Sequence, residues 1–240
     1  MSKKLTVLLA LLSITIANAQ NWNNEKIKGN GVQTTITRTT ESYEKISTGG
    51  SFNVELVSGK EGTITIKGDE NIISHIVTEV IGNELKVYFE KNRSYNYKQD
   101  ITITIPFEEI NEISFAGSGN MVTKNAINAT DFEAKMAGSG DCNLEINAKN
   151  IVAKMAGSGN LKLSGTAENL EAKTAGSGDL NSTKLVSQNA DVAVAGSGSL
   201  EVNCTNNLVA KVAGSGNIQY KGNPKIIESN VAGSGDISGN

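Results

Sequence analysis

Ala116-Gly117-Ser118-Gly119-Asn120 is the stretch that decides the fold, because the chain writes it repeatedly. Further copies of Ala-Gly-Ser-Gly, each followed by Asn, Asp or Ser, begin at Ala137, Ala156, Ala175, Ala195, Ala213 and Ala232. Successive starts lie 21, 19, 19, 20, 18 and 19 residues apart. Self-similarity at so nearly fixed a period marks stacked repeat units.

Outward from each copy, the flanks alternate. Five residues after the Ala come Met121, Cys142, Leu161, Leu180, Leu200, Ile218 and Ile237. One before it come Phe115, Met136, Met155, Thr174, Val194, Val212 and Val231, and three before it Ile113, Ala134, Ala153, Ala172, Val192, Ala210 and Ser229. Two before it lie Ser114, Lys135, Lys154, Lys173, Ala193, Lys211 and Asn230, mostly charged or polar. A period of two on both sides of the motif reads as strand, motif, strand. The spacing is too short for paired helices, and the unit that fits is one coil of a parallel β-solenoid of ~19-residue coils. A single coil buries too little apolar surface to offset the entropy of ordering its backbone, so such units hold only in runs.

Both glycines of the motif fall on the inward parity, so a sharp bend or a close approach to the opposite wall is expected of them. A phosphate cradle would need one strand-loop-helix with a following Lys, not seven equal copies. The next column, Asn120, Asp141, Asn160, Asp179, Ser199, Asn217 and Asp236, falls on the outward parity and is expected to stack into an exposed ladder, with Ser118 and its equivalents alongside. Amides and hydroxyls so stacked satisfy one another at a turn. The motif is also similar to the Gly-Gly-x-Gly-x-Asp repeat of calcium β-rolls. A 19-residue period with three acids in seven copies supplies too little oxygen for an ion that takes six to eight ligands, so no metal or cofactor is expected.

Upstream the pattern is less regular. Residues 20–42 form a polar lead and a cap strand over Val32 to Thr40, and 43–240 read as a single solenoid domain with regular repeats over 110–240. Phe52, Val54 and Leu56 share one face of a strand, Thr63 to Ile66 make another, and Asp69 to His75 suits a short helical turn. Val77 to Ile81 and Glu84 to Glu90, joined across Gly82-Asn83, read as a β-hairpin. Ile101 to Ile105 and Ile110 to Phe115 are further strands. Residues 1–19 read as an export signal: Lys3 and Lys4, an apolar run from Leu5 to Ile16, and a small-residue cleavage site ending at Ala19, which leaves Gln20 as the new terminus. The run is too short to span a bilayer as a helix, and no transmembrane segment is expected elsewhere.

Removing Lys3 and Lys4 takes the net charge from −3 to −5, and only two Arg are present, Arg38 and Arg93. Nucleic acid is therefore not an expected partner. Cys142 and Cys204 lie three repeats apart, roughly 14 Å at a ~4.8 Å strand spacing, beyond the ~7 Å reach of a disulfide. Both read as small buried hydrophobes. His75 is the single His, with no Cys near it, so neither a zinc spacing nor a Ser/His/Asp set can be read. Asp141 and Asp179 are two coils apart, roughly 10 Å, marginal for a pair of glycosidase carboxylates.

Taken with Tyr43-x-x-Ile46 and Phe52-x-Val54-x-Leu56, the repeat resembles the "putative auto-transporter adhesin, head GIN domain" family of Bacteroidetes-type bacteria over roughly residues 43–238. The resemblance implies a right-handed, pectate-lyase-like β-helix in a cell-envelope setting. The expectation is thus a non-enzymatic exported protein, in the periplasm, on the outer surface or outside the cell, that binds a glycan or protein partner or serves as a rigid spacer. A polysaccharide-active lyase or hydrolase on the same scaffold is the alternative. The open parallel edge around Asp236 to Asn240 is expected to invite pairing with another chain, giving a homo-oligomer.

Overall fold

The computed structural model describes residues 25–239. The expected export signal, with its expected cleavage between Ala19 and Gln20, lies outside the described residues. In chain order the elements are β1 (Glu25–Lys28), β2 (Gln33–Thr39), β3 (Lys45–Gly50), β4 (Asn53–Ser58), β5 (Thr63–Asp69), the single turn of helix α1 (Glu70–Ile73), β6 (Ile76–Ile81), β7 (Glu84–Phe89), β8 (Arg93–Asn96), β9 (Thr102–Phe107), β10 (Glu112–Gly117) and β11 (Asn120–Thr123). Long strands then take over: β12 (Ile127–Gly138), β13 (Asp141–Gly157), β14 (Asn160–Gly176), β15 (Asp179–Gly196) and β16 (Ser199–Gly214). The rod finishes with β17 (Asn217–Lys221), β18 (Ile226–Gly233) and β19 (Asp236–Gly239).

From β10 onward this is a parallel β-solenoid. The motif alanines are partners from coil to coil: Ala116 with Ala137, then Ala156, Ala175, Ala195, Ala213 and Ala232. Coils of unequal length keep this register by shifting elsewhere, between Lys162 and Ser164 and between Ser182 and Val186. The expected apolar columns are the interior. Met121, Cys142, Leu161, Leu180, Leu200 and Ile218 are buried, as are the columns headed by Phe115 and Ile113 down to Val212 and Ala210. Period-two alternation on a two-sided wall explains this, since one parity faces a dry core and the other faces water. Cys142 and Cys204 are both free and both buried within it.

The first half is not a simple run of coils. β3 and β4 pair with β10 and β11 on one side and with β7 and β9 on the other, all parallel. The coil made by β3 and β4 is therefore sandwiched between later segments of the chain. The outermost layer is antiparallel: β6 on β7, β5 on β9 and β2 on β5. The β6–β7 hairpin turns at Gly82-Asn83 with Ile81 opposite Glu84, as the sequence predicts. β1 and β8 form a separate parallel pair that the sequence pattern did not reveal.

Asp69 fastens this end. Its carboxylate is fully buried and accepts the N–H of Gly31 on Oδ1 at 2.9 Å, and the N–H groups of Lys98 and Gln99 on Oδ2 at 2.6 and 3.2 Å. Ile72 and Ile73 of α1 are buried beside it, so one helical turn helps to close the core.

Candidate functional site

Each corner is built by its glycines, though differently from the expectation. The second glycine of the motif is buried from Gly119 to Gly216, whereas the first is half-buried (Gly117, Gly138, Gly157) or exposed (Gly176, Gly233). The first adopts φ between +120° and +150° from Gly117 to Gly233, a region that side chains resist. The close approach is to the neighbouring coil, not to the opposite wall. A Cβ on Gly140 would meet the carbonyl oxygen of Gly119, and one on Gly159 that of Gly140. Corner N–H groups bind the carbonyls of the first glycines, with Ser158 N and Gly159 N donating to Gly138 O at 3.0 and 3.1 Å.

The same geometry exposes an eighth copy. Gly49 pairs with Ala116, Gly50 with Gly117, and a Cβ on Gly119 would strike the carbonyl of Phe52. Gly49-Gly50-Ser51-Phe52-Asn53 thus occupies the corner one coil before the first motif, 67 residues earlier in the chain. Phe52 replaces the buried glycine, and its ring packs 5.6 Å from that of Phe89.

The sequence-chosen ladder forms on the corner's outer side. Asn120 pairs with Asp141, Asp141 with Asn160, Asn160 with Asp179, Ser199 with Asn217 and Asn217 with Asp236. Asn160 Nδ2 donates to Asp141 Oδ1 at 2.7 Å, Ser199 N to Asp179 Oδ1 at 2.9 Å and Asp236 N to Asn217 Oδ1 at 3.1 Å. Asn120 Nδ2 donates to Asn53 Oδ1 at 3.0 Å, so the ladder starts one coil earlier than the sequence indicated. Asp141 and Asp179 both register with Asn160, one coil away on either side of it, which keeps the two carboxylates two coils apart. Their position gives no facing acid pair. Among the described residues, no three His, Cys, Asp or Glu side chains converge as metal ligands.

A second ladder went unread. Asn150 Nδ2 donates to Asp131 Oδ1 at 2.7 Å, Asn169 to Asn150 at 2.8 Å and Asn189 to Asn169 at 2.9 Å. These residues lie six before each motif Ala, a fixed offset that the same alignment contains.

Between the corner and this second ladder lies a continuous outward surface. The motif alanines from Ala116 to Ala213 are exposed side by side, and Lys135, Lys154, Lys173 and Lys211 stand along one edge. Together they make a shallow groove of about 840 Å³ that runs the length of the repeats. Acids bind the lysines on the far side: Lys135 Nζ lies 2.8 Å from Glu112 and 3.0 Å from Glu133, and Lys154 Nζ lies 2.9 Å from Glu133. The hydrogen bond from Lys135 holds the Glu112 carboxyl below the usual carboxylate range; Lys45 adds to this, and burial works against it.

His75 belongs to the capped end. Its Nδ1 lies 3.0 Å from Glu90 Oε2, Arg93 links Glu90 to Glu25, and the ring tilts over Tyr95 at a centroid distance of 5.7 Å. The cluster ties β1, β7 and β8 together. Burial pushes the Cys142 thiol up to about 12, so it remains a neutral core residue.

Stacked coils, a glycine-pinned corner and uniform outer columns define a solenoid repeat protein, a scaffold that presents long repetitive surfaces. The chain belongs to the family described as "Putative auto-transporter adhesin, head GIN domain", whose model matches residues 42–224. A putative adhesin from Bacteroides fragilis superposes with a TM-score of 0.85 at 26% identity, covering 89% of this chain and 100% of that one. A putative lipid binding protein from Parabacteroides distasonis gives 0.74 at 29% identity, with 90% and 100% covered. A putative adhesin from Parabacteroides merdae shares the fold, with a TM-score of 0.71 at 20% identity over 90% and 99%. Comparison with curated proteins finds no match. No helix among the described residues is long and apolar enough to cross a membrane.

Proposed function

We propose that the chain is a non-enzymatic, exported cell-envelope protein of adhesin type, which holds an extended glycan or protein partner along its flat outer faces. The observation that carries this reading is the alanine-floored, lysine-edged groove, repeated at strand spacing over the length of the regular coils. Small side chains let an extended partner approach the sheet, and the ammonium groups of Lys135, Lys154, Lys173 and Lys211 offer donors along its edge, interrupted at Ala193. The Asn/Asp ladder from Asn120 to Asp236 is a neighbouring polar surface, but its amides are largely engaged with one another. The polysaccharide-cleaving alternative has no observation behind it, since Asp141 and Asp179 are held apart by Asn160.

The test is glycan-array and immobilised-protein binding, without turnover, on the chain and two variants. Ala156→Glu with Ala175→Glu blocks the groove and should abolish binding, while Asn160→Ala should leave it intact. Equal binding by all three, or release of cleaved product, would remove the proposal. The apolar floor favours one further reading, in which the groove holds a lipid acyl chain, as the name of the Parabacteroides distasonis relative suggests. Displacement of a fluorescent fatty acid from the chain, lost in the same groove variant, would select it.

A further inference from the structure

The two ends of the rod are unlike. At the N-terminal end, antiparallel strands and α1 close the core, and Ile64, Ile66, Ile72 and Ile73 are fully buried. At the other end β18 pairs with β16, and among the described residues no strand covers its outer edge. Ile227 and Val231 continue the inward columns of Leu208 and Val212, which are 0% and 2% exposed, yet they are themselves 45% and 43% exposed. Edges are ordinarily blunted by Lys, Pro or a bulge. β18 reads Ile226-Ile227-Glu228-Ser229-Asn230-Val231-Ala232-Gly233, with one charge, no Pro and an unbroken register.

We propose that β18 pairs antiparallel with β18 of a second copy, across a two-fold axis at Ser229, so that two rods join tail to tail. The sequence is self-complementary about that residue. Outward from Ser229 come the polar pair Glu228 and Asn230, and then the apolar pair Ile227 and Val231. With Ser229 opposite Ser229 of the second copy, each Ile227 faces a Val231 and the two interiors become continuous. Each Glu228 then faces an Asn230 amide, so no carboxylate opposes another. A slip of one residue would set Ile227 against the outward Ala232 and lose the match. At the opposite end the edges are β2 (Gln-Thr-Thr-Ile-Thr-Arg-Thr), with a single large apolar residue, Ile36, and β6 (Ile-Val-Thr-Glu-Val-Ile), whose Ile76 is buried and whose Val77 and Val80 are half-buried, so neither repeats the exposed inward pair of β18. One coil's end is a small interface, below the ~1,200 Å² of standard stable complexes, so the dimer forms with rising concentration.

Sedimentation velocity on the purified chain should show the weight-average mass climbing from monomer toward twice that value. Ser229→Asp places two carboxylates face to face and should weaken the dimer by roughly tenfold or more. Mixing the Ser229→Asp and Ser229→Lys variants should restore it. Under oxidation Ser229→Cys should give a disulfide-linked dimer far more readily than Asn230→Cys, because residue 230 faces residue 228 of the other copy; Cys142 and Cys204 are buried and do not compete. A mass that stays monomeric at every concentration, cross-linking no better at residue 229 than at 230, or open-ended head-to-tail chains would each overturn the proposal.

Discussion

Replacing Gly159 by Ala puts the corner geometry to the test. Gly159 is buried and has no positive φ, so Ala can adopt its backbone angles and the effect is steric. The new Cβ would sit 2.1 Å from Gly140 O and 2.5 Å from Met136 Cε, where ordinary contact begins near 3.4 Å. Met136 can swing away, but the carbonyl belongs to the next coil's backbone. Adjacent coils must part by more than an ångström there, stretching Gly159 N to Gly138 O and Asn160 N to Gly140 O, both 3.1 Å. Overpacking costs about 1–3 kcal/mol and two weakened hydrogen bonds about 1 kcal/mol each. The smaller entropy of the unfolded Ala chain returns about 0.4–1 kcal/mol. The net loss is about 2–4 kcal/mol, or roughly 5–15 °C in Tm. Ser158→Ala, exposed at the same corner, should stay within about 0.5 kcal/mol of the parent. Urea denaturation followed by circular dichroism measures both. A Gly159→Ala midpoint indistinguishable from that of Ser158→Ala would refute the reasoning.

Four other outcomes follow from the interior, the capped end and the Lys135–Glu112 pair. Asp69→Ala leaves three backbone N–H groups without their buried acceptor and should cost about 2–4 kcal/mol, with hydrogen exchange rising first around residues 29–32 and 96–100. Cys142 and Cys204 should resist maleimide in the native chain and both react once it is unfolded. Because the folded Cys142 thiol titrates above its ordinary 9.0, its contribution to stability is intact below that pH and is lost as pH climbs toward about 12; Cys142→Ala should flatten that alkaline loss. Glu112 is depressed in the folded state, so its contribution is present above the ordinary carboxylate range and disappears as pH falls through the folded value. Glu112→Gln should therefore make acid unfolding less steep, read as a smaller change in Tm between neutral and acidic buffer.

The regular half of the fold was legible because each coil repeats one short physical statement: alternate residues in, alternate residues out, glycine at the corner. That logic placed Met121, Cys142 and Leu161 in one buried column and Asn120, Asp141 and Asn160 in one outer column. It failed at Gly49 to Asn53, since neither Gly49 nor Phe52 keeps the motif's letters and the spacing to Ala116 is 67 residues. A period search compares neighbours in sequence, whereas this corner's neighbour is set by a fold-back. β1 and β8 were missed because each is four residues long with one large apolar side chain, Ile27 and Tyr95, too little for alternation to show. For the candidate site, the ladder was visible as a column. The groove was not, since exposed alanines give no chemical signal until their shared face is seen.

The sandwiched position of β3 and β4 also bears on how the chain acquires its shape. Those strands precede both segments that flank them in the chain, yet they can gain partners only when residues 84–107 and 112–123 have followed. Assembly of the first half must therefore wait on contacts between distant residues, a slow step. Once that platform exists, each later coil needs only the one before it and can add by local zippering. Truncation from the C-terminal side should thus shorten the rod coil by coil, whereas deletion within residues 84–107 should leave the repeats with no surface on which to begin.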